Sequence, residues 1–121
     1  MKVVYGISHW HEKIARPVVA IGVFDGLHHG HRLLIRKTIE RAKAIDGTPV
    51  VLTFDPHPVN ILYPQRKIPM IVSLDYRLSL LKEQGIEACL IVRFNKRFAE
   101  MDYTRFIEYY LRRTLNTAEV V

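Results

Sequence analysis

Two short stretches carry residues whose types and spacing suit chemistry. The first holds His28, Gly30 and His31, at the start of a helix that follows the uncharged run Val18-Val19-Ala20-Ile21-Gly22-Val23-Phe24 and the turn Asp25-Gly26-Leu27. Imidazole groups at positions 28 and 31 lie on one side of a first helical turn, so both face a single phosphate group. Gly30 carries no side chain to collide with that phosphate. The free N–H groups and the positive end of the helix dipole aim at the same place. Displacing pyrophosphate from the α-phosphorus of a nucleoside triphosphate asks for little more, because positioning and stabilisation of phosphoryl charge dominate such transfers. The second stretch is Phe54-Asp55-Pro56-His57-Pro58, at the end of another apolar run. Its two prolines fix the backbone of His57, which suits a side chain aimed at a ligand and has no evident packing purpose. Phe54 also suits a core position, and Asp55 a turn cap.

Rival uses of these residues are weaker. Zinc would take His28 and His31, but no cysteine cluster lies near and Asp25 would need a fourth ligand not identified in the sequence. The glycines at 22, 26 and 30 are spaced by four, which is not the G-x-G-x-x-G dinucleotide pattern. Arg66 and Lys67 suit either a phosphate clamp or a solvated basic pair. The basic residues between Arg32 and Lys43 read as a solvated helix face, and Phe106, Tyr109 and Tyr110 as core and rim of the last helix.

The elements around these stretches follow from pattern. Lys2 to Tyr5 reads as a short strand, and His9, Trp10 and His11 as a polar lead-in. Arg16-Pro17 introduces a buried strand from Val18 to Phe24. Leu34, Ile35, Ile39, Ala42 and Ile45 keep helical spacing from Gly30 to Asp46, with Gly47 as the left-handed stop residue and Thr48-Pro49 behind it. Val50 to Phe54 is the next strand, which makes a βαβ unit and hence a parallel sheet. Asp55 to Val72, with Pro56, Pro58, Pro64 and Pro69, reads as a long, stiff, irregular connection. Ser73 caps a helix to Gln84 that buries Leu74, Leu78 and Leu81 and stops at Gly85. A strand from Ile86 to Phe94, a short helical turn from Asn95 to Met101, a helix from Tyr103 to Leu115 capped by Asp102, and the start of a strand at Ala118 to Val121 complete the series. The alternation predicts an α/β, doubly wound domain whose ligands sit beyond the carboxyl ends of its strands.

Composition sets outer limits. A chain of 121 residues with 49% hydrophobic and 25% charged residues is one globular domain or part of one. No apolar run approaches the roughly 20 residues that span a bilayer, and Met1 to His11 lacks the layout of a secretory signal. A single cysteine, Cys89, excludes an internal disulfide and fits a reducing cytosol. The net charge of +6 favours polyanionic partners, nucleotides and phosphorylated metabolites as readily as nucleic acid.

The run Ile21-Gly22-Val23-Phe24-Asp25-Gly26-Leu27-His28-His29-Gly30-His31, joined at this distance to Leu52-Thr53-Phe54-Asp55-Pro56-His57-Pro58, resembles the N-terminal adenylyltransferase module of prokaryotic FAD synthetases. These are the bifunctional riboflavin kinase/FMN adenylyltransferases. The spacing of Pro64, Pro69 and Ser73, and of Phe98, Phe106 and Leu111, is similar to that family as well. The resemblance implies a Rossmann-like nucleotidylyltransferase fold with helices on both faces of a parallel sheet. It implies a transferase that makes FAD and pyrophosphate from ATP and FMN, assisted by Mg²⁺, without nucleic-acid or membrane partners, in the cytoplasm. His28 and His31 match the histidines that stabilise the ATP phosphates, while Gly22, Val23, Phe24, Asp25, Gly26 and Gly30 match the nucleotide-binding turn. Phe54, Pro56, His57 and Pro58 match the flavin side of the site, and Arg66 lies in its continuation; no residue is assigned to metal. Family members continue into a glycine- and phenylalanine-containing flavin loop, a serine/threonine-rich motif with an arginine, and a riboflavin kinase domain. The expectation is therefore an adenylyltransferase domain over residues 1–121, incomplete at its C-terminus and without the kinase domain. A nucleotidylyltransferase with another phosphate acceptor, or an inactive fragment, stand as the alternatives.

Overall fold

The computed structural model describes residues 1–24, 29–66 and 73–121. Its centre is a five-stranded, wholly parallel sheet, built from β1 (Lys2–Tyr5), β2 (Pro17–Ile21), β3 (Thr48–Asp55), β4 (Ala88–Arg93) and β5 (Glu119–Val120) in the order β1-β4-β3-β2-β5. From β2 the chain steps to β3 and β4 on one side and returns to β5 on the other. The strand order therefore reverses between β2 and β5, the kind of point beyond whose carboxyl ends ligands bind in open α/β sheets.

Both faces of the sheet are covered, as a doubly wound fold requires. Strand residues alternate in direction, so Val19, Val50, Leu52, Leu90 and Val92 enter one core while Ala20, Val51, Cys89 and Ile91 enter the other. Helix α1 (His29–Ala44) and helix α3 (Leu74–Gln84) close the second core with Ile35 and Leu81, both fully buried. On the opposite face lie α4 (Lys96–Ala99) and α5 (Tyr103–Phe106), the latter continuing as a π-helical segment Ile107–Thr114 that contributes Tyr110 and Leu111. Trp10, expected in a polar lead-in, is buried in this core at 7% exposure. Burial pushes the Cys89 thiol up to about 12, with the Arg77 charge pulling the other way, so it stays protonated at neutral pH.

Several boundaries differ from expectation for local reasons. Strand β2 leaves the sheet after Ile21: Gly22 N–H still reaches the Leu52 carbonyl at 3.1 Å, but Phe24 turns left-handed at φ 57°. Strand β4 starts at Ala88 because the Ile86 N–H is taken by the Leu81 carbonyl in the closing turn of α3. Helix α3 itself matches its pattern, with Ser73 accepting from the Tyr76 N–H and Gly85 left-handed at φ 107°. Helix α1 ends in the same type of turn, yet its left-handed residue is Asp46 at φ 54° and not Gly47. The bonds Gly47 N–H to Ala42 carbonyl (2.7 Å) and Asp46 N–H to Lys43 carbonyl (3.3 Å) complete it.

The proline-rich connection after β3 is less irregular than its composition suggests. It holds helix α2 (Pro58–Leu62) and a 3₁₀ turn at Pro64–Arg66. Pro58 occupies the first helical position, where its missing N–H costs nothing. The last helix is not a single α-helix, because Phe106, Tyr110, Leu111 and Leu115 recur at four to five residues and the wider π turn keeps them on one side. The Leu115 N–H accordingly reaches back to the Tyr110 carbonyl at 3.1 Å.

Candidate active site

The site forms where β2 and β3 end side by side and α1 begins. Past Gly22 the chain has left the sheet, so the Val23 carbonyl needs other donors. It receives two: the Thr53 hydroxyl at 3.0 Å and the Arg77 guanidinium at 2.6 Å. Phe24 follows in its left-handed conformation with its side chain fully buried. Its ring meets the His31 ring edge-on at 5.4 Å between centroids and 65° between planes. A methyl group on Gly22 would sit 3.1 Å from the Phe24 ring, so glycine at 22 lets that ring fold back over the strand end.

His31 belongs to the first turn of α1, which carries no acidic residue to compete with an anion. Gly30 lies between the His29 start of the helix and His31, and a Cβ there would meet nothing within 4 Å among the described residues. Gly30 thus leaves open space in the first turn of the helix, which the phosphate reading of this turn would fill with the ligand. Alanine at Gly30 should therefore separate folding from binding. Helix propensity gains about 0.5–1 kcal/mol, read as a higher midpoint in thermal unfolding. ATP affinity measured by titration calorimetry falls about tenfold, since filling the phosphate space removes on the order of 1.4 kcal/mol.

On the neighbouring strand, Phe54 packs among Phe94 and Phe98 at 5.9 and 5.8 Å between ring centroids. Together with Ile21, Leu62, Met101 and Phe106 these rings line an apolar groove of about 360 Å³. Asp55 does not cap a turn with its carboxylate, which instead accepts from the Tyr5 hydroxyl at 2.8 Å. Burial, and then this bond, push the Tyr5 hydroxyl above its ordinary pKa. His57 has the structural task that its sequence context did not reveal. Its Nδ1 accepts from the Val59 N–H at 3.1 Å and so caps α2.

The structure thus brings Gly22, Val23, Phe24, Gly30 and His31 into one corner, with Phe54, Pro56, His57 and Pro58 at the adjacent strand end. Arg66 ends the 3₁₀ turn that follows α2. Asp25, Gly26 and His28 lie outside the described residues. Among the described residues no group of three or more histidine, cysteine, aspartate or glutamate side chains is arranged to hold a metal ion. Arg77, buried to 1% exposure, is the member that the sequence did not disclose.

Comparison with known proteins identifies the family. The family model for FAD synthetase matches residues 11–121. The bifunctional riboflavin kinase/FMN adenylyltransferase of Bacillus subtilis strain 168 is 33% identical over 116 residues, covering 92% of this chain and 36% of the relative. The protein of the same name from Listeria monocytogenes is 34% identical over 95 residues, covering 78% of this chain and 30% of the relative. The chain therefore spans about a third of the length of these curated relatives. A crystal structure from Streptococcus pneumoniae, described as a macrolide-efflux protein, superposes with a TM-score of 0.84 at 26% identity over 98% of this chain and 40% of its own. The efflux description is of that protein; no helix of this chain, among the described residues, is long and apolar enough to cross a membrane. With the family match extending over nearly all of its length, the chain belongs to the FAD synthetase family.

Proposed function

We propose that this chain is the ATP- and FMN-binding part of an FMN adenylyltransferase. A phosphate oxygen of FMN attacks the α-phosphorus of ATP, the new P–O bond forms, the bond to the β-phosphate oxygen breaks, and pyrophosphate leaves with FAD as the product. The observation that carries this reading is the corner at the end of β2, where the Phe24 ring holds His31 on the first turn of α1 beside the open space at Gly30. His31, with His28, donates hydrogen bonds to the phosphoryl oxygens as charge builds on them, and the helix N-terminus adds its dipole. The apolar groove beside Phe54 is of a size and character for a planar flavin ring, and Pro56, His57 and Pro58 follow Phe54 directly in the chain, with Arg66 in the same connection, as the flavin-side residues.

Magnesium would enter with ATP, carried by its phosphates. When bound it neutralises phosphate charge. Residues 1–121 are read as part of the adenylyltransferase unit. It works in the cytoplasm on small molecules, not on nucleic acid or membranes, in keeping with its buried free thiol at Cys89. The test is acceptor choice. With ATP as donor, FMN should outcompete phosphopantetheine and glycerol phosphate in AMP transfer. Preference for either of those acceptors would assign the chain to a different nucleotidyl transfer.

A further inference from the structure

We infer that Arg77 is a positioning residue, whose buried guanidinium clamps the Val23 carbonyl and thereby sets the Phe24 ring that holds His31 toward the phosphate site. The inference rests on reading this corner as a nucleotide site, and extends it to a helix that neither motif includes.

The reasoning runs outward from α3. An arginine is almost never fully buried unless its charge and donors are used. Arg77 is 1% exposed in the core that contains Ala20, Phe24, Ile35 and Leu81. A leucine would have filled that space without desolvating a charge. What the guanidinium does there is reach across to the neighbouring strand ends: Nη1 donates to the Val23 carbonyl at 2.6 Å, and Nη2 lies 3.5 Å from the Phe54 carbonyl. The first is a short, charge-assisted bond; the second is at the limit of a hydrogen bond. The clamp thus acts mainly on the β2 end and only weakly on the β3 end.

The Val23 carbonyl precedes Phe24 directly, so fixing its direction fixes the peptide from which Phe24 turns. Phe24 adopts φ 57°, a conformation that a bulky residue keeps only when its surroundings impose it. Two donors on one carbonyl, Thr53 and Arg77, provide that restraint. The result is passed on through the ring contact with His31 at 5.4 Å. Displacing the clamp lets Phe24 relax and His31 lose its preset orientation, while the core keeps most of its apolar packing.

The test uses Arg77→Met, Arg77→Lys, Thr53→Val and Phe24→Leu in the same chain. His31 ring-proton shifts are read by NMR, ATP affinity by calorimetry and folding by thermal unfolding. Phe24→Leu identifies the ring-current contribution to the His31 signals. Arg77→Met should lose most of that contribution and weaken ATP binding about tenfold, less than the hundredfold a 1 Å misplacement costs in catalysis. Arg77→Lys should fall between wild type and Met in both readouts, and Thr53→Val should shift His31 in the same direction by less. Should Arg77→Met fail to fold, the lysine and Thr53 variants carry the test. Unchanged His31 shifts in a folded Arg77→Met or Arg77→Lys protein overturn the inference. So does a lysine variant with full ATP affinity but displaced His31 signals, because the charge alone would then suffice. A wild-type chain without ATP affinity would remove the nucleotide reading, while the His31 shifts would still decide whether Arg77 sets the ring.

Discussion

Alanine in place of His31 should lower AMP transfer from ATP to FMN by about 10² to 10³-fold, the usual cost of deleting one donor aimed at developing charge. The loss should fall mainly on kcat. Ground-state ATP keeps its contacts with the helix N-terminus and the turn, whereas the imidazole donates most strongly when charge accumulates on the phosphoryl oxygens. Folding should change far less. His31 is partly exposed, alanine is the best helix former, and the edge contact with Phe24 that is lost is worth about 0.5–1.5 kcal/mol for an aromatic pair. His11→Ala provides the control, since that exposed imidazole lies outside the site and its loss should leave turnover unchanged. Steady-state kinetics with both variants measure the contrast. Equal rates for wild type and His31→Ala would remove the residue from the reaction.

Alanine in place of Gly47 should cost about 3 kcal/mol, at the upper end of what overpacking costs. The added Cβ would lie 2.3 Å from the Arg16 carbonyl oxygen and 3.2 Å from both Arg16 Cβ and Ile45 Cγ1. The oxygen is main chain, at the point where β2 begins, and it already accepts from the Thr48 N–H at 3.2 Å. Relief requires the starts of β2 and β3 to separate, which weakens the register between Pro17 and Thr48. Because whole-domain stability is commonly only about 5–15 kcal/mol, this loss should appear as a large fall in the thermal midpoint. Asp46→Gly supplies the opposite expectation. It places glycine where φ is 54° and removes only an exposed, long ion pair with Arg16 at 3.4 Å. The midpoint should hold or rise, since such pairs contribute little. Similar falls in both variants would contradict the assignment of the left-handed position to Asp46.

These two cases also mark how far the chain could be read before its structure. The corner around Gly22, Phe24 and His31 was legible because its cues are local: an apolar run, a glycine turn and a helix start lie next to one another. The parallel sheet was legible for the same reason, since runs such as Val50 to Phe54 are too apolar for anything but a strand covered on both faces. What was hidden depends on contacts between distant segments. Gly47 is glycine because of Arg16, and no property of its neighbours in sequence says so. Arg77 sits between Tyr76 and Leu78 in a helix whose other charges face solvent, and the Val23 carbonyl it meets lies 54 residues away in sequence. Trp10 looked polar by company and is apolar by position. Proline content concealed α2, although Pro58 behind a capping His57 is how a short helix starts. Around β5 the sequence signalled a strand but not its anchor. Glu119 accepts from Arg41 of α1 at 2.9 and 2.6 Å, and that bond holds its carboxyl below the usual range.

The most direct test of the functional reading follows the label in α-³²P-ATP mixed with this chain, FMN and Mg²⁺. The account predicts label in FAD and an equal amount of unlabelled pyrophosphate, both abolished when FMN is omitted. Label recovered only as ADP, or transferred to a different acceptor with FMN untouched, would contradict it.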